Sequence, residues 1–388
     1  MNILIVGSGI GGLTVAYWLH QYGFRVSVIE KVAEYRPIGS LALMREDGFR
    51  VAERMKIVAA LQNKSVHLKK QVIHSARQQI LRTLDLKPSF QEGSTLQLRR
   101  SDWIEILYQV VSERVPIQFQ TALQSIHETS EGVEVVFSDG TSSVYDLVIG
   151  ADGIHSFVRS HMFEISSLHP LGLRAMTFIL EDAHALVETL HFLPSSMNEW
   201  YLPAGYVSLL LLSESAVGGI FLYRTQPAGS ISVEERKSLL IERFAPADPA
   251  IKTVLDAIPD PSLIYADDLA QVIVPTWHKG HFVLVGDAAH ATTPILGIGG
   301  SKAMFGAYIL AHELATTSSY SEAFTRYEQK MRVPITQVQQ KSRSVGAFMT
   351  AEGRLPLEGK RLLFKYAPAS FLRYIRRPTP QNILLEEV

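Results

Sequence analysis

The 388-residue chain contains no cysteine. That excludes disulfides, thiolate metal sites, a thiol nucleophile and any redox relay through a protein dithiol. It also lacks an excess of charge. Thirty-seven basic residues stand against 38 acidic ones, a net charge of −1 at pH 7, so no long-range field draws in nucleic acid. No apolar run approaches the roughly 20 residues of a membrane span; YVSLLLL, residues 206–212, is far too short. Internal repeats and low-complexity linkers are absent, and the 13 histidines show no metal-ligand spacing. What remains is a composition 47% hydrophobic and 19% charged, that of a globular protein with a substantial core. Its length suggests two or three units of roughly 150 residues. The apolar N-terminus, MNILIVGSGIGGLTVAYWL, has no basic leader and no A-x-A-like cleavage site, and glycines interrupt it. It reads as core structure, and a cytoplasmic location is expected.

Residues 2–30 have a βαβ rhythm: NILIV as strand, GSGIGG as turn, LTVAYWLHQY as helix and RVSVIE as strand. Helical stretches are expected around 49–61 and 101–114, and strands at VEVVF and YDLVIG. From 170 to 270 the extended segments AMTFIL, ETLHFL, YVSLLLL and GGIFLY predict a second sheet, interrupted by the helix SVEERKSLLIERF. The βα rhythm returns at 282, with a helix to about Thr316 and an amphipathic helix over 320–350. The expected fold is α/β. A Rossmann-like nucleotide domain is built from discontinuous segments, 1–165 and 271–350. A mixed β-sheet substrate domain over 166–270 is inserted, with contributions from 65–98, and a helical segment, 351–388, closes the chain.

Gly7, Gly9 and Gly12, with Ile10 and Gly11 between them, form G-x-G-x-x-G in that βαβ unit. Gly7 permits the tight turn, Gly9 a close approach to pyrophosphate, and Gly12 close helix–strand packing. Glu30 ends the next strand, followed by Lys31, and is placed to accept hydrogen bonds from a ribose. An acid there disfavours a 2′-phosphate, so the ligand is FAD or NAD rather than NADP. Arg36 is placed to pair with the pyrophosphate. A second glycine–acid pair occurs in YDLVIGADGIHSFVR, where Asp152 either caps the following turn or approaches a ligand with Gly153. A third lies in GDAAHATTPILGIGG, residues 286–300.

GSGIGG…VSVIE, GADGIHSFVR and WHKGHFVLVGDAAHATTP, in this order, resemble the class A flavoprotein monooxygenases, the para-hydroxybenzoate hydroxylase-like family. The likeness covers the N-terminal third and residues 270–350. It implies that FAD is the cofactor and that Gly286-Asp287 meets its far end, Asp287 hydrogen-bonding the ribityl chain. Pro294 would then sit beside the reactive edge of the isoalloxazine. Gly297, Gly299 and Gly300 would bring backbone N–H groups to the pyrimidine ring, where a helix N-terminus stabilises reduced flavin. Arg100 matches the family's arginine before a cofactor-side helix, with Trp103 in place of the common leucine. His290 orients the loop. The chain departs from the family at Ile298, Ser301 and Gly306, where a polar residue, an asparagine and an acid are usual, and at Ser40-Leu41.

The resemblance further implies NAD(P)H as a transient co-substrate. A flavin C4a-hydroperoxide, formed with O2, would hydroxylate an aromatic or polycyclic apolar small molecule. Phe192, Trp200, Tyr201, Tyr206 and Phe221 are expected to line the substrate pocket, although each also reads as core packing. Two other readings share the fold: a prenyl reductase or halogenase-like FAD enzyme, and a non-catalytic flavin-binding protein that responds to redox state. The halogenase G-W-x-W-x-I-P element is missing. KRLLFKYAPASFLRYIRR, residues 360–377, reads as a docked helix, with a membrane-surface role as the competing interpretation. No nucleic-acid partner is expected, and the protein is expected to be a monomer or homodimer.

Overall fold

A computed structural model of the protein describes residues 1–34, 41–75, 79–86, 95–163, 167–225 and 231–376. A six-stranded sheet runs in the order His278–Lys279, Phe282–Leu284, Leu147–Gly150, Asn2–Val6, Arg25–Ile29, Ile117–Gln118. Every neighbouring pair is parallel except the first. Continuous apolar strands such as NILIV suit a parallel sheet buried on both faces, and Ile3, Leu4, Ile5, Leu147, Val148 and Ile149 are fully buried. The helices Ile10–Gln21 and Gly299–Thr316 pack on each other beside it. Strands from both ends of the sequence therefore meet in one sheet.

The second sheet has seven strands, in the order Tyr265–Val272, Leu168–Leu180, Val217–Arg224, Gly205–Leu211, Ser196–Leu202, Lys70–His74, Ile80–Asp85. Alternation along its strands gives it two faces. The back face, including Met176, Phe178, Trp200, Val207 and Phe221, packs under the helices Val233–Phe244 and Pro249–Asp256. The front face turns toward the parallel sheet's loops: Leu173, Ala175, Tyr206 and Leu222 cluster with Ile295 and Met349. A bulge between Pro170 and Leu173 sets the register Leu173 to Leu269, Arg174 to Asp268 and Ala175 to Asp267. Asp268 thus points back, bonded twice to Arg174 at 2.5 and 2.7 Å. Asp267 points forward.

Two expectations change. ETLHFL is not extended: residues His184–Leu190 form a helix, because the apolar positions Leu186, Val187 and Leu190 recur at helical spacing, which the strand reading overlooked. The helical stretch at 49–61 is broken into Glu46–Arg54 and Val58–Asn63, with Lys56 at φ 60° between them. The 30-residue helix Tyr320–Met349 ends against the substrate-side sheet: Arg224 donates to the Thr350 carbonyl at 3.0 Å. A Cβ on Gly346 would lie 2.8 Å from Ile295 and 3.0 Å from Leu173. One glycine lets the long helix, the sheet and the Pro294 turn meet.

The helix Arg354–Tyr366 docks on the sheet edge through Phe364, clustered with Ile73 and Leu84. Its Lys360 is buried, with Nζ over the rings of Tyr201 and Phe348 and donating to the Met349 and Ala351 carbonyls at 3.4 Å. Burial lowers its pKa to about 8.

Candidate functional site

The first glycine turn leaves the strand Asn2–Val6 with Gly7 at φ 102°. A Cβ on Gly12 would lie 2.0 Å from the Gly7 carbonyl oxygen, so the helix can start this close to the strand only with glycine. At Gly9 the same test meets nothing within 4 Å. The space beside it is open, and the helix Ile10–Gln21 begins there with no side-chain cap and no acid in its first turn. Its N–H groups are available to an anion. Glu30 is fixed by Ser8, whose backbone N–H and hydroxyl both donate to Oε2 at 2.9 Å, while Val32 N–H donates to Oε1 at 3.2 Å. Ser8 escaped the sequence reading because its role depends on a loop meeting the end of a neighbouring strand. Lys31 is exposed. Arg36 lies outside the described residues.

Asp152 stands next to this turn: a Cβ on Gly7 would be 2.9 Å from its Cα. Its Oδ2 accepts from Phe157 N–H at 2.7 Å and Val158 N–H at 3.2 Å, while Oδ1 is buried without a partner. Capping therefore accounts for one oxygen only. Burial raises its carboxyl pKa, against the lowering effect of Ser156. Arg159 is buried and donates to Ser167, Ala288 and Ile154. It ties the second glycine–acid element to the third.

In the third element Gly286 has φ 63° and Asp287 opens a four-residue helix. Asp287 is exposed, and none of the described residues donates a hydrogen bond to its carboxylate. Protein atoms crowd it, which raises its pKa, and the nearby Arg100 charge opposes the rise. Arg100 itself makes no hydrogen bond or ion pair to the described residues. His290 is buried against Trp277, with ring centroids 4.8 Å apart and Nε2 unpartnered. Burial lowers its pKa to about 4, so the imidazole is neutral.

Thr293 takes φ 76°, ψ 153°, a conformation that costs a β-branched residue about 1–3 kcal/mol, and turns Pro294 out to an exposed position. The hydroxyls of Thr292 and Thr293 are buried and have no hydrogen-bond partner among the described residues. Gly297 is left-handed at φ 68°, and its carbonyl accepts from Leu43 N–H at 2.7 Å. A Cβ on Gly299 would touch only Thr292 and Asp287, at 3.4 and 3.9 Å, whereas one on Gly300 would strike Trp103 at 2.9 Å and Ile10 at 3.0 Å. Gly300 is thus dictated by packing. Gly306, in place of an acid, faces Met331 and Tyr327 between two helices. Ser301 Oγ accepts from Arg45 N–H, and Lys302 pairs with Asp47 at 2.5 Å. These contacts lock the N-terminal turn of the helix Gly299–Thr316.

The front face of the seven-stranded sheet covers this loop. Leu41 shares an apolar cluster with Ile179, Met197 and Ile220, all partly exposed. Tyr265 and Asp267, missed in the sequence, stand at its edge within reach of the Asp287 charge; the only outward sign was two adjacent aspartates in a strand. The expected aromatic lining is corrected. Phe192, Trp200 and Phe221 belong to the back face under its helices, because alternation sends even-numbered Trp200 away from the cleft. Tyr201 and Tyr206 are on the front, but Tyr201 packs on Phe364 at 4.8 Å and Tyr206 is buried, donating to Glu199 at 2.5 Å.

Open space at Gly9, an uncapped helix start, a fixed glutamate and an unpartnered Asp287 at the far end fit an extended dinucleotide better than a mononucleotide. The chain matches the FAD binding domain family over residues 1–197 and 233–342. It is 31% identical over 342 residues to a flavin-dependent monooxygenase of Legionella longbeachae serogroup 1 (strain NSW150), covering 86% of this chain and 85% of that one. Among solved structures it is similar to the tetracycline destructase Tet(51), at TM-score 0.78 and 25% identity over 98% and 99% of the two chains. It also shares the fold of Klebsiella pneumoniae HpxO complexed with FAD and uric acid, at TM-score 0.84 and 21% identity over 97% and 96%. Taken with the geometry of the three glycine–acid elements, these matches make the chain an FAD-dependent oxidoreductase belonging to the class A flavoprotein monooxygenases.

Proposed function

We propose that this monooxygenase uses NAD(P)H and O2 to hydroxylate an aromatic or polycyclic apolar small molecule. The substrate would lie between the Pro294 turn and the front face of the seven-stranded sheet. The observation that carries this reading is the half-open apolar surface of Ile179, Met197 and Ile220, set against Leu41. A flat apolar substrate is matched by such a surface, and the tetracycline destructase to which the chain is similar is named for a fused-ring compound.

Bound FAD supplies a two-electron carrier that accepts a hydride and delivers one atom of O2, the other leaving as water. The protein's part is binding, orientation and exclusion of water. Glu30 takes the adenosine ribose, and the N-terminus of the helix Ile10–Gln21 takes the pyrophosphate. Asp287 receives ribityl hydroxyls. The N-terminal turn of the helix Gly299–Thr316 presents its positive end to the flavin ring. Arg100, with no hydrogen-bond or ion-pair partner among the described residues, adds positive charge near Asp287. Pro294 has no N–H and leaves the reacting face clear.

The test is NAD(P)H consumption by the FAD-loaded protein over a panel of aromatic and polycyclic compounds, with labelled O2 followed into product. Substrate-stimulated consumption with label in the product is expected. Stoichiometric FAD with no stimulation by any compound would favour a redox-responsive binding protein instead.

A further inference from the structure

The helix Arg354–Tyr366 buries one side and leaves the other without a partner among the described residues. Phe364 and Lys360 face the sheet edge, while Leu355, Leu362 and Tyr366 are 86%, 52% and 68% exposed. These three are seven and eleven residues apart. At about 100° per residue they fall within roughly 20° of one line along the helix, opposite Phe364. Arg354, Arg361 and Lys365 flank that line on one side, all exposed, with Glu358 among them and paired to Arg361 at 3.1 Å. Phe371, in the next helix Ala369–Arg376, is 47% exposed. From Arg354 to Leu385 the sequence has seven basic residues and one acid, Glu358, within a chain whose net charge is −1. The positive charge is therefore local to this helical segment, and it accompanies an apolar stripe directed outward.

We propose that this face binds an anionic lipid surface. The helix would lie in the plane of the interface with Leu355, Leu362, Tyr366 and Phe371 entering the headgroup boundary, while Arg361 and Lys365 meet lipid phosphates. An apolar ridge flanked by cations is the pattern of interfacial helices. None of the helices among the described residues is long and apolar enough to cross a membrane, so attachment would be peripheral and reversible. A second copy of this chain is matched less well, because a two-fold contact would bring together two faces on which three cations outnumber the single Glu358. The same helix packs on the edge of the sheet whose front face overlooks the flavin loop. A membrane-dissolved substrate would thus be released near the cleft.

The experiment is co-sedimentation of the full-length FAD-loaded protein with vesicles of equimolar phosphatidylglycerol and phosphatidylcholine, and with phosphatidylcholine alone. Wild type is expected to sediment with the anionic vesicles, to be released by high salt, and to remain in the supernatant with the neutral ones. L362E/Y366E should lower the partition by about tenfold or more, with FAD content and melting temperature unchanged. R361Q/K365Q should weaken binding and its salt dependence together. Wild type that ignores anionic vesicles overturns the proposal, as does L362E/Y366E binding like wild type. A wild-type dimer that L362E/Y366E converts to monomer, with no vesicle binding by either, would assign the face to a contact between copies instead.

Discussion

At His290 the ring is enclosed by Trp277 and by its own loop, and burial takes its pKa from the ordinary 6.5 to about 4. Between those values the unfolded chain binds a proton that the folded protein does not. Stability from this residue is therefore complete above pH 6.5 and falls as the pH drops toward 4. At about 1.4 kcal/mol per pH unit, the loss is on the order of 3 kcal/mol. Denaturant unfolding of wild type and His290→Gln across this range should show a shallower pH slope in the variant. At Asp287 the carboxylate has no donor among the described residues, so Asp287→Asn should leave the melting temperature of the apoprotein nearly unchanged. Its FAD dissociation constant, read from the flavin occupancy of the protein at limiting FAD, should rise by about tenfold, the worth of one charge-assisted hydrogen bond. Equal occupancy in wild type and variant would remove Asp287 from the site.

Two glycines on different elements show how one residue type serves two ends. Gly9 opens a helix onto empty space, with φ −73° that alanine adopts freely. Gly9→Ala should keep the apoprotein's stability within about 0.5 kcal/mol while weakening FAD binding. Gly300 meets Trp103 and Ile10, and Gly300→Ala should cost about 1–3 kcal/mol in denaturant unfolding, whether or not FAD is present. The strand–turn–helix elements were legible because each carried its own local signal: an apolar run, a glycine turn, then helical periodicity. The orientation of side chains in the seven-stranded sheet was not legible. Trp200 and Tyr201 are neighbours in sequence and point to opposite faces, and only the pairing of seven distant strands decides which face meets the flavin loop. The helix His184–Leu190 was misread for a related reason, since a short apolar run fits either period.

Across the whole molecule, contacts between segments far apart in sequence hold the site in place. Arg159 reaches Ala288, Gly346 admits Ile295 and Leu173 together, and Phe364 anchors the last described helices to the sheet. Phe364→Ala should destabilise the protein by about 3–5 kcal/mol, seen as a lower midpoint in thermal unfolding. The α/β architecture assembled from discontinuous segments could be inferred from three ordered motifs. The docking of 354–366 through a buried lysine could not, because nothing local in the sequence shows that Lys360 caps the end of a helix that closes eleven residues earlier.

The bulge between Pro170 and Leu173 has a consequence for how this sheet tolerates change. Strand pairing has a parity, and the bulge fixes it: Asp268 falls to Arg174 on one side and Asp267 to the cleft on the other. Replacing either aspartate alters one contact and leaves the parity intact. Two residues, 171 and 172, have no counterpart there, and removing one of them would put the pairs before the bulge out of phase with those after it, which the neighbouring strand Val217–Arg224 also holds. The pairing therefore tolerates substitution at the cleft-facing positions more readily than a one-residue change in the length of residues 170–173.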